Sequence, residues 1–207
     1  MRTAKPAAKS VSLPWLTLLV LACGSTPVWA EGPWRIQHEV LGTGAPESCL
    51  FSLSSQRMPG PMVSALHIVL TRRGAGGCAG GEGRVELGTT YDDSSLSLLV
   101  TAAGLVVGFS VKDTPGGSAP VSIELLHLDP QTLERVRDTR LSASQPFSVG
   151  RVEDARLSFG ADGTTLEVRG SKSGVIPGEV GSGDAYLALY PDFLTSTTEP
   201  SVTAGEP

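Results

Sequence analysis

From Ile36 onward, apolar residues recur at every second position and continuous helical periodicity is nearly absent. Leu105, Val107, Phe109 and Val111 share one face of a run whose other face carries Val106, Gly108, Ser110 and Lys112. A period of two sends neighbouring side chains to opposite sides of a strand, so each run predicts one core face and one wetter face. The same alternation marks Cys49/Phe51/Leu53, Leu66/Ile68/Leu70, Leu96/Leu98/Val100, Val121/Ile123/Leu125, Ala155/Leu157/Phe159, Leu166/Val168 and Ala185/Leu187/Leu189. Clusters such as Pro59-Gly60-Pro61 and Thr114-Pro115-Gly116-Gly117 separate the runs. Roughly ten short strands joined by turns predict an all-β chain built as an antiparallel meander assembly, for which a two-sheet sandwich meets the periodicity. The 25 Gly and 15 Pro in 207 residues, with 40% hydrophobic and 18% charged content, fit a turn-rich folded chain and exclude bulk disorder.

One segment departs from this pattern. Asp129-Pro130 carries helix-start signals, an N-cap residue followed by proline. The apolar positions after it, Leu133 and Val136, are too few for an amphipathic face, so a turn followed by a strand is expected, with a single-turn helix as the alternative. The stretch from Leu157 to Val168, LSFGADGTTLEV, resembles the first hairpin of a β-propeller blade, in which an Asp-Gly turn joins two inner strands. His127 to Leu133 is similar to the turn after a blade's third strand. The resemblance implies a small propeller-like arrangement as the alternative to the sandwich.

The first thirty residues have the pattern of an export signal. Arg2, Lys5 and Lys9 form a positive start, Val11 to Ala22 is an uncharged apolar run, and Val28-Trp29-Ala30 is a small-residue cleavage site before Glu31. The apolar run is shorter than the ~20 residues a membrane-spanning helix needs. A second route competes for the same residues, because Val20-Leu21-Ala22-Cys23 resembles the lipobox of bacterial lipoproteins. That resemblance implies a lipid anchor on Cys23, and Gly24 after it implies the outer membrane. The expected organisation is therefore an export signal over 1–30, a single β-rich domain over 31–195 and a disordered polar tail over 196–207. Without the first thirty residues the chain keeps 13 basic against 21 acidic groups, a net charge of −8, which argues against a nucleic-acid partner. Cys49 and Cys78 remain as an even pair in an oxidising compartment and predict one disulfide.

The catalytic and cofactor patterns fail on spacing. The loop Arg73 to Gly83, RGAGGCAGGEG, holds six glycines, but Glu82 follows Gly81 where a Walker loop needs Lys-Ser/Thr, and no helix follows. A hairpin loop tethered by Cys78 is the expected role. His38, His67 and His127 each stand alone on a predicted strand, without the short-spaced pair that zinc sites use, so no metal or cofactor is expected. Ser110 lacks a nucleophile elbow and falls mid-strand. Asp92 and Asp93 are adjacent, which on a strand points them to opposite faces and in a turn makes them caps.

The residues together predict a non-enzymatic, exported bacterial envelope protein that binds a partner protein or supports an assembly, meeting the membrane only through an anchor at Cys23. The partner surface is expected at Tyr91, Asp92 and Asp93 and at Tyr190, Asp192 and Phe193, with Tyr190 and Phe193 in the core as the alternative. A secreted hydrolase acting on an envelope polymer is the competing reading, and a small-ligand carrier with a pocket in the β assembly is the third.

Overall fold

The computed structural model describes residues 35–44, 49–57, 64–74, 78–146 and 148–205. The export signal and Cys23 fall outside these described residues. The chain is all-β, with three sheets, so a two-sheet sandwich undercounts them. β1 (Arg35–Gly44), β2 (Cys49–Arg57), β3 (Leu66–Gly74) and β4 (Gly83–Thr90) form the first sheet as an antiparallel meander. β5 (Leu96–Val100), β6 (Leu105–Val111), β7 (Ser122–Leu128) and β8 (Arg135–Leu141) repeat that plan in the second. The third sheet runs β9 (Arg151–Phe159), β10 (Leu166–Ser173), β12 (Ala185–Tyr190), β13 (Ser201–Gly205), with the short β11 (Glu179–Gly181) added in parallel beyond β13.

The sheets stack face to face with the second in the middle, and this order produces two cores. Phe51, Leu53, Ile68 and Leu70 pack with Leu98, Val107, Phe109 and Leu126 between the first and second sheets. Val106, Ile123 and Leu125 pack with Ala155, Leu166, Val168 and Ala188 between the second and third. The first strands β1, β5 and β9 lie beside one another in that order, while no close strand packing joins the first sheet to the third among the described residues.

The middle position corrects the expectation of a wetter face on Leu105–Val111. All seven residues of β6 are buried, Ser110 included, because a sheet covers each side. Gly108 lets the third sheet come close, since a Cβ there would stand 3.0 Å from Leu157 Cδ1. The tail is corrected as well. Val202 and Ala204 alternate with Ser201 and Thr203 and turn into the core at 3% and 6% exposure, so Ser201–Gly205 pairs with β12 as a regular strand.

Turns form where the sequence places Asp and Gly. In the β9–β10 hairpin, Asp162 Oδ1 accepts the amides of Thr164 and Thr165, and Gly163 adopts a φ of 71°. The Thr165 hydroxyl, then those amides, hold the Asp162 carboxyl below its ordinary range. Asp129 caps Gln131 and Thr132 in the same way, and the segment is a turn leading into β8. The disulfide between Cys49 and Cys78 is present, with Cα atoms 4.9 Å apart. It holds residues 78–81 beside Arg72, which is buried and donates to the carbonyl oxygens of Gly80, Gly81, Pro130 and Gln131. Gly80 is required in this clasp, because a Cβ there would lie 2.3 Å from the Gln131 carbonyl oxygen.

Candidate functional site

The residues expected to meet a partner divide by burial. Tyr190 and Phe193 are 1% and 0% exposed, with their rings edge to face at 5.7 Å and the Arg137 guanidinium 4.7 Å above Phe193. Their apolar area is spent in the second core, so they offer no surface to a partner, which corrects that expectation and favours the core alternative. Asp192 is exposed between them, in a left-handed turn with a φ of 48°. Tyr91, Asp92 and Asp93 are half-buried between β4 and β5. There Asp92 Oδ1 accepts the Ser94 amide at 2.9 Å, the capping role that a carboxylate takes in a turn, whereas Asp93 Oδ2 accepts the Ser55 hydroxyl of β2 at 3.4 Å and caps no backbone amide.

His38, His67 and His127 fall on the different strands β1, β3 and β7. His67 Nδ1 lies 2.8 Å from Glu86, and His127 is 5% exposed with Nδ1 unpaired. Among the described residues no group of three or more His, Cys, Asp or Glu side chains is placed to hold a metal.

A different site is built where β9 and β10 lose register. Arg169 faces Arg156, whereas Ser171 faces Glu153, so Asp154 and Ala155 together oppose Gly170. This is a β-bulge, a feature that bends a strand and re-aims a side chain. Asp154 takes a φ of 54°, a left-handed conformation that Asp and Asn adopt more readily than other non-glycine residues. Gly170 cannot be anything larger, because a Cβ would stand 2.4 Å from the Glu153 carbonyl oxygen and 2.8 Å from Tyr186 Oη. The missing side chain makes room for the Tyr186 ring, its registered partner on β12.

Around the bulge lies a cleft of about 630 Å³ lined by Asp154, Arg156, Arg169, Ser171, Tyr186 and Leu187, with Ala185 and Thr203 beside them. Tyr186 is 3% exposed and its hydroxyl has no hydrogen-bond partner among the described residues. Burial, then the neighbouring Tyr190 and the Asp154 carboxylate, push its ionisation above the ordinary value; like its registered partner Ala204 it points into the core between the second and third sheets, on the opposite face of β12 from Ala185 and Leu187. The Ser171 hydroxyl donates to Asp154 Oδ2 at 2.7 Å and orients that carboxylate. Arg169 pairs with Glu167 at 2.7 Å, whereas the Arg156 side chain is exposed and makes no ion pair or hydrogen bond to any described residue.

A second cleft of about 550 Å³ runs past Arg72, Leu133 and Arg135. Its one buried charge, Arg72, is already saturated by backbone carbonyls, so it reads as packing between sheets. None of the bulge residues stood out in the sequence. Their signal was a slip in the alternation, Val152 to Ala155 instead of two residues on, together with a lone Gly170 inside a strand. No protein-family model and no curated protein matches the chain, so the geometry of the cleft alone speaks to its use.

Proposed function

We propose that the chain is an exported envelope protein that acts by binding, through the cleft at the β9–β10 bulge. One observation carries the reading: the bulge brings Asp154, oriented by Ser171, and the cross-strand pair Arg156 and Arg169 to one cleft on the outer face of the third sheet. A β-bulge re-aims side chains next to sites, and a concave surface with a few converging polar groups is the setting in which ligands bind.

The residues around the cleft support recognition over bond cleavage. Its lining has one carboxylate, Asp154, beside the Ser171 and Thr203 hydroxyls and two arginines, with Ala185 and Leu187 as its apolar part. These orient a ligand, whereas glycosidic cleavage uses two carboxyl groups across a bond. The positively charged start and apolar run of the first thirty residues support export, and the Cys49–Cys78 bridge suits an oxidising compartment. Periplasm and outer membrane follow from the two processing routes, the latter with an anchor on Cys23.

Affinity capture from envelope extracts tests the reading, with the wild-type protein and the Asp154→Asn variant as baits. Asn tolerates the left-handed conformation, so the change removes charge and leaves the bulge. A component enriched by the wild type and lost with the variant is expected. Enrichment of nothing under several detergents, or enrichment indifferent to Asp154, contradicts it.

A further inference from the structure

We propose that the outer face of the first sheet, at the opposite end of the stack from the bulge cleft, docks a second copy of this chain. The first observation is apolar exposure. Phe51, Leu53, Ile68 and Leu70 point from the first sheet into the core, so the residues that alternate with them point outward. Register carries that outer face onto β1, where Leu41 opposes Ser52 and Ile36 opposes Gln56. Leu41, Ile36 and Leu50 on this face are 61%, 57% and 39% exposed, three of the six large apolar side chains that are exposed among the described residues. Leu41 and Leu50 are diagonal neighbours, because Leu50 opposes Thr43. Single exposed apolar residues are ordinary, whereas several on one face mark an interaction site.

The second observation is that the face is self-complementary. Its β3–β4 half is finished by its own side chains: Arg84 reaches across β3 to hydrogen-bond Gln56 on β2 at 2.9 Å, Val69 between them is buried, and Glu86 meets His67 at 2.8 Å. Its β1–β2 half keeps Glu39 and Arg73, both exposed and neither in an ion pair among the described residues, although Glu39 accepts the Ser52 hydroxyl. Glu39 opposes Ser54 and Arg73 opposes Leu50, so Ser52 lies midway between the two charges. Strand spacing and rise put them about 17 Å apart, too far to pair within one copy. A two-fold axis lying in the face at Ser52 brings Glu39 of each copy opposite Arg73 of the other, and with it Leu41 opposite Leu50. That is the pattern of an isologous contact, in which residue i meets j and j meets i.

Charge and area select the occupant. Two carboxylates, Glu39 and Glu86, balance two guanidinium groups, Arg73 and Arg84, whereas an anionic lipid surface draws a basic face. Four strands about 4.8 Å apart and roughly eight residues long give a face of about 500 Å², so two copies cover about 1,000 Å², the lower bound of a specific interface. The dimer is therefore weak, with a Kd on the order of 10 μM. Joined in this way, two copies carry their bulge clefts at the far ends of one continuous stack, which makes binding there bivalent.

Sedimentation velocity of the purified protein from about 1 to 200 μM tests this, with Cys23→Ala throughout so that an anchor contributes nothing and with melting curves for every variant. A monomer–dimer shift with concentration is expected. Leu41→Glu sets a carboxylate against Leu50 and should weaken the dimer at least about tenfold, while Val136→Glu, outside the face on β8, should leave it unchanged. Glu39→Arg and Arg73→Glu should each weaken it about fivefold or more, and the two together should restore it to within about twofold. These exposed charge reversals carry the test if Leu41→Glu lowers the melting curve. A protein that stays monomeric throughout overturns the proposal, as does a dimer indifferent to Leu41→Glu. A double reversal no tighter than the single ones contradicts the two-fold pairing. Flotation with vesicles of phosphatidylethanolamine and phosphatidylglycerol addresses the other occupant: binding by a monomer, lost in Leu41→Glu, gives the face to lipid and overturns the second copy.

Discussion

Replacing Tyr186 with Phe removes one hydroxyl and keeps the ring, and the structure gives that hydroxyl a cost in the folded protein. Tyr186 is 3% exposed, and its Oη has no hydrogen-bond partner among the described residues. In the unfolded chain water satisfies it. Burying a hydroxyl without a partner costs about 1–3 kcal/mol, and the rest of the side chain packs unchanged beside Val168, Ala188 and Tyr190. Tyr186→Phe should therefore stabilise the free protein by roughly 1–2 kcal/mol, a rise in Tm of about 2–8 °C for a chain of this size. Thermal and urea unfolding at pH 7 without reductant provide the assay. A loss of 1 kcal/mol or more on removing the hydroxyl would show that it has a partner in the folded protein and refute the reasoning.

Four further outcomes follow from specific contacts. Gly170→Ala places a Cβ 2.4 Å from a backbone oxygen that cannot swing away, so a loss of about 1–3 kcal/mol is expected in urea unfolding, and a neutral result would remove the close approach at the bulge. The paired variant Cys49→Ser/Cys78→Ser opens a link across a sequence separation of 29 residues and should cost roughly 3–4 kcal/mol; reductant should then shift the unfolding midpoint of the wild type but not of the variant. Lys172 Nζ lies 3.1 Å from Glu179 Oε1 with both side chains buried, so Lys172→Met should cost about 3–5 kcal/mol by stranding the carboxylate, and adding Glu179→Leu should recover part of it. Burial, assisted by the Arg137 charge, holds the His127 pKa below 6.5 against the opposing Ala103 hydrogen bond. Its neutral form favours folding, so this stability is present above pH 6.5 and is lost as pH falls through the folded-state pKa. His127→Gln should flatten the slope of stability as pH falls below 6.5, and an unchanged slope would contradict the burial argument.

Local chemistry was legible wherever it acts over a few residues. The Asp162-Gly163 hairpin, the Asp129 turn and the Cys49–Cys78 bridge follow from residue type and spacing. Burial set by a third sheet was not. Val106, Gly108 and Ser110 have the small and polar character of a wet face, yet they lie under β9 because the second sheet is sandwiched on both sides. Tyr190 and Phe193 pose the same problem, since an aromatic in a loop has the same letter whether it packs inward or meets a partner. Ser201–Gly205 was hidden by its polar neighbours, although Val202 and Ala204 carry the period of two. The cleft was the least legible feature. Asp154, Gly170 and Tyr186 are separated by up to 32 positions in the chain and meet only through strand register, so their one trace was a missed beat in the alternation of β9.

The claim that the bulge cleft meets an envelope component is tested most directly by site-specific photo-crosslinking in intact cells. A photoreactive residue replaces Thr203, which is exposed and lines the cleft, or Val136 on β8, which is 59% exposed and lies on the second sheet. The account predicts a crosslinked product from position 203, diminished by Asp154→Asn, and none from position 136. Crosslinking from 136 alone, equal crosslinking from both positions, or a product at 203 that ignores Asp154 would contradict it.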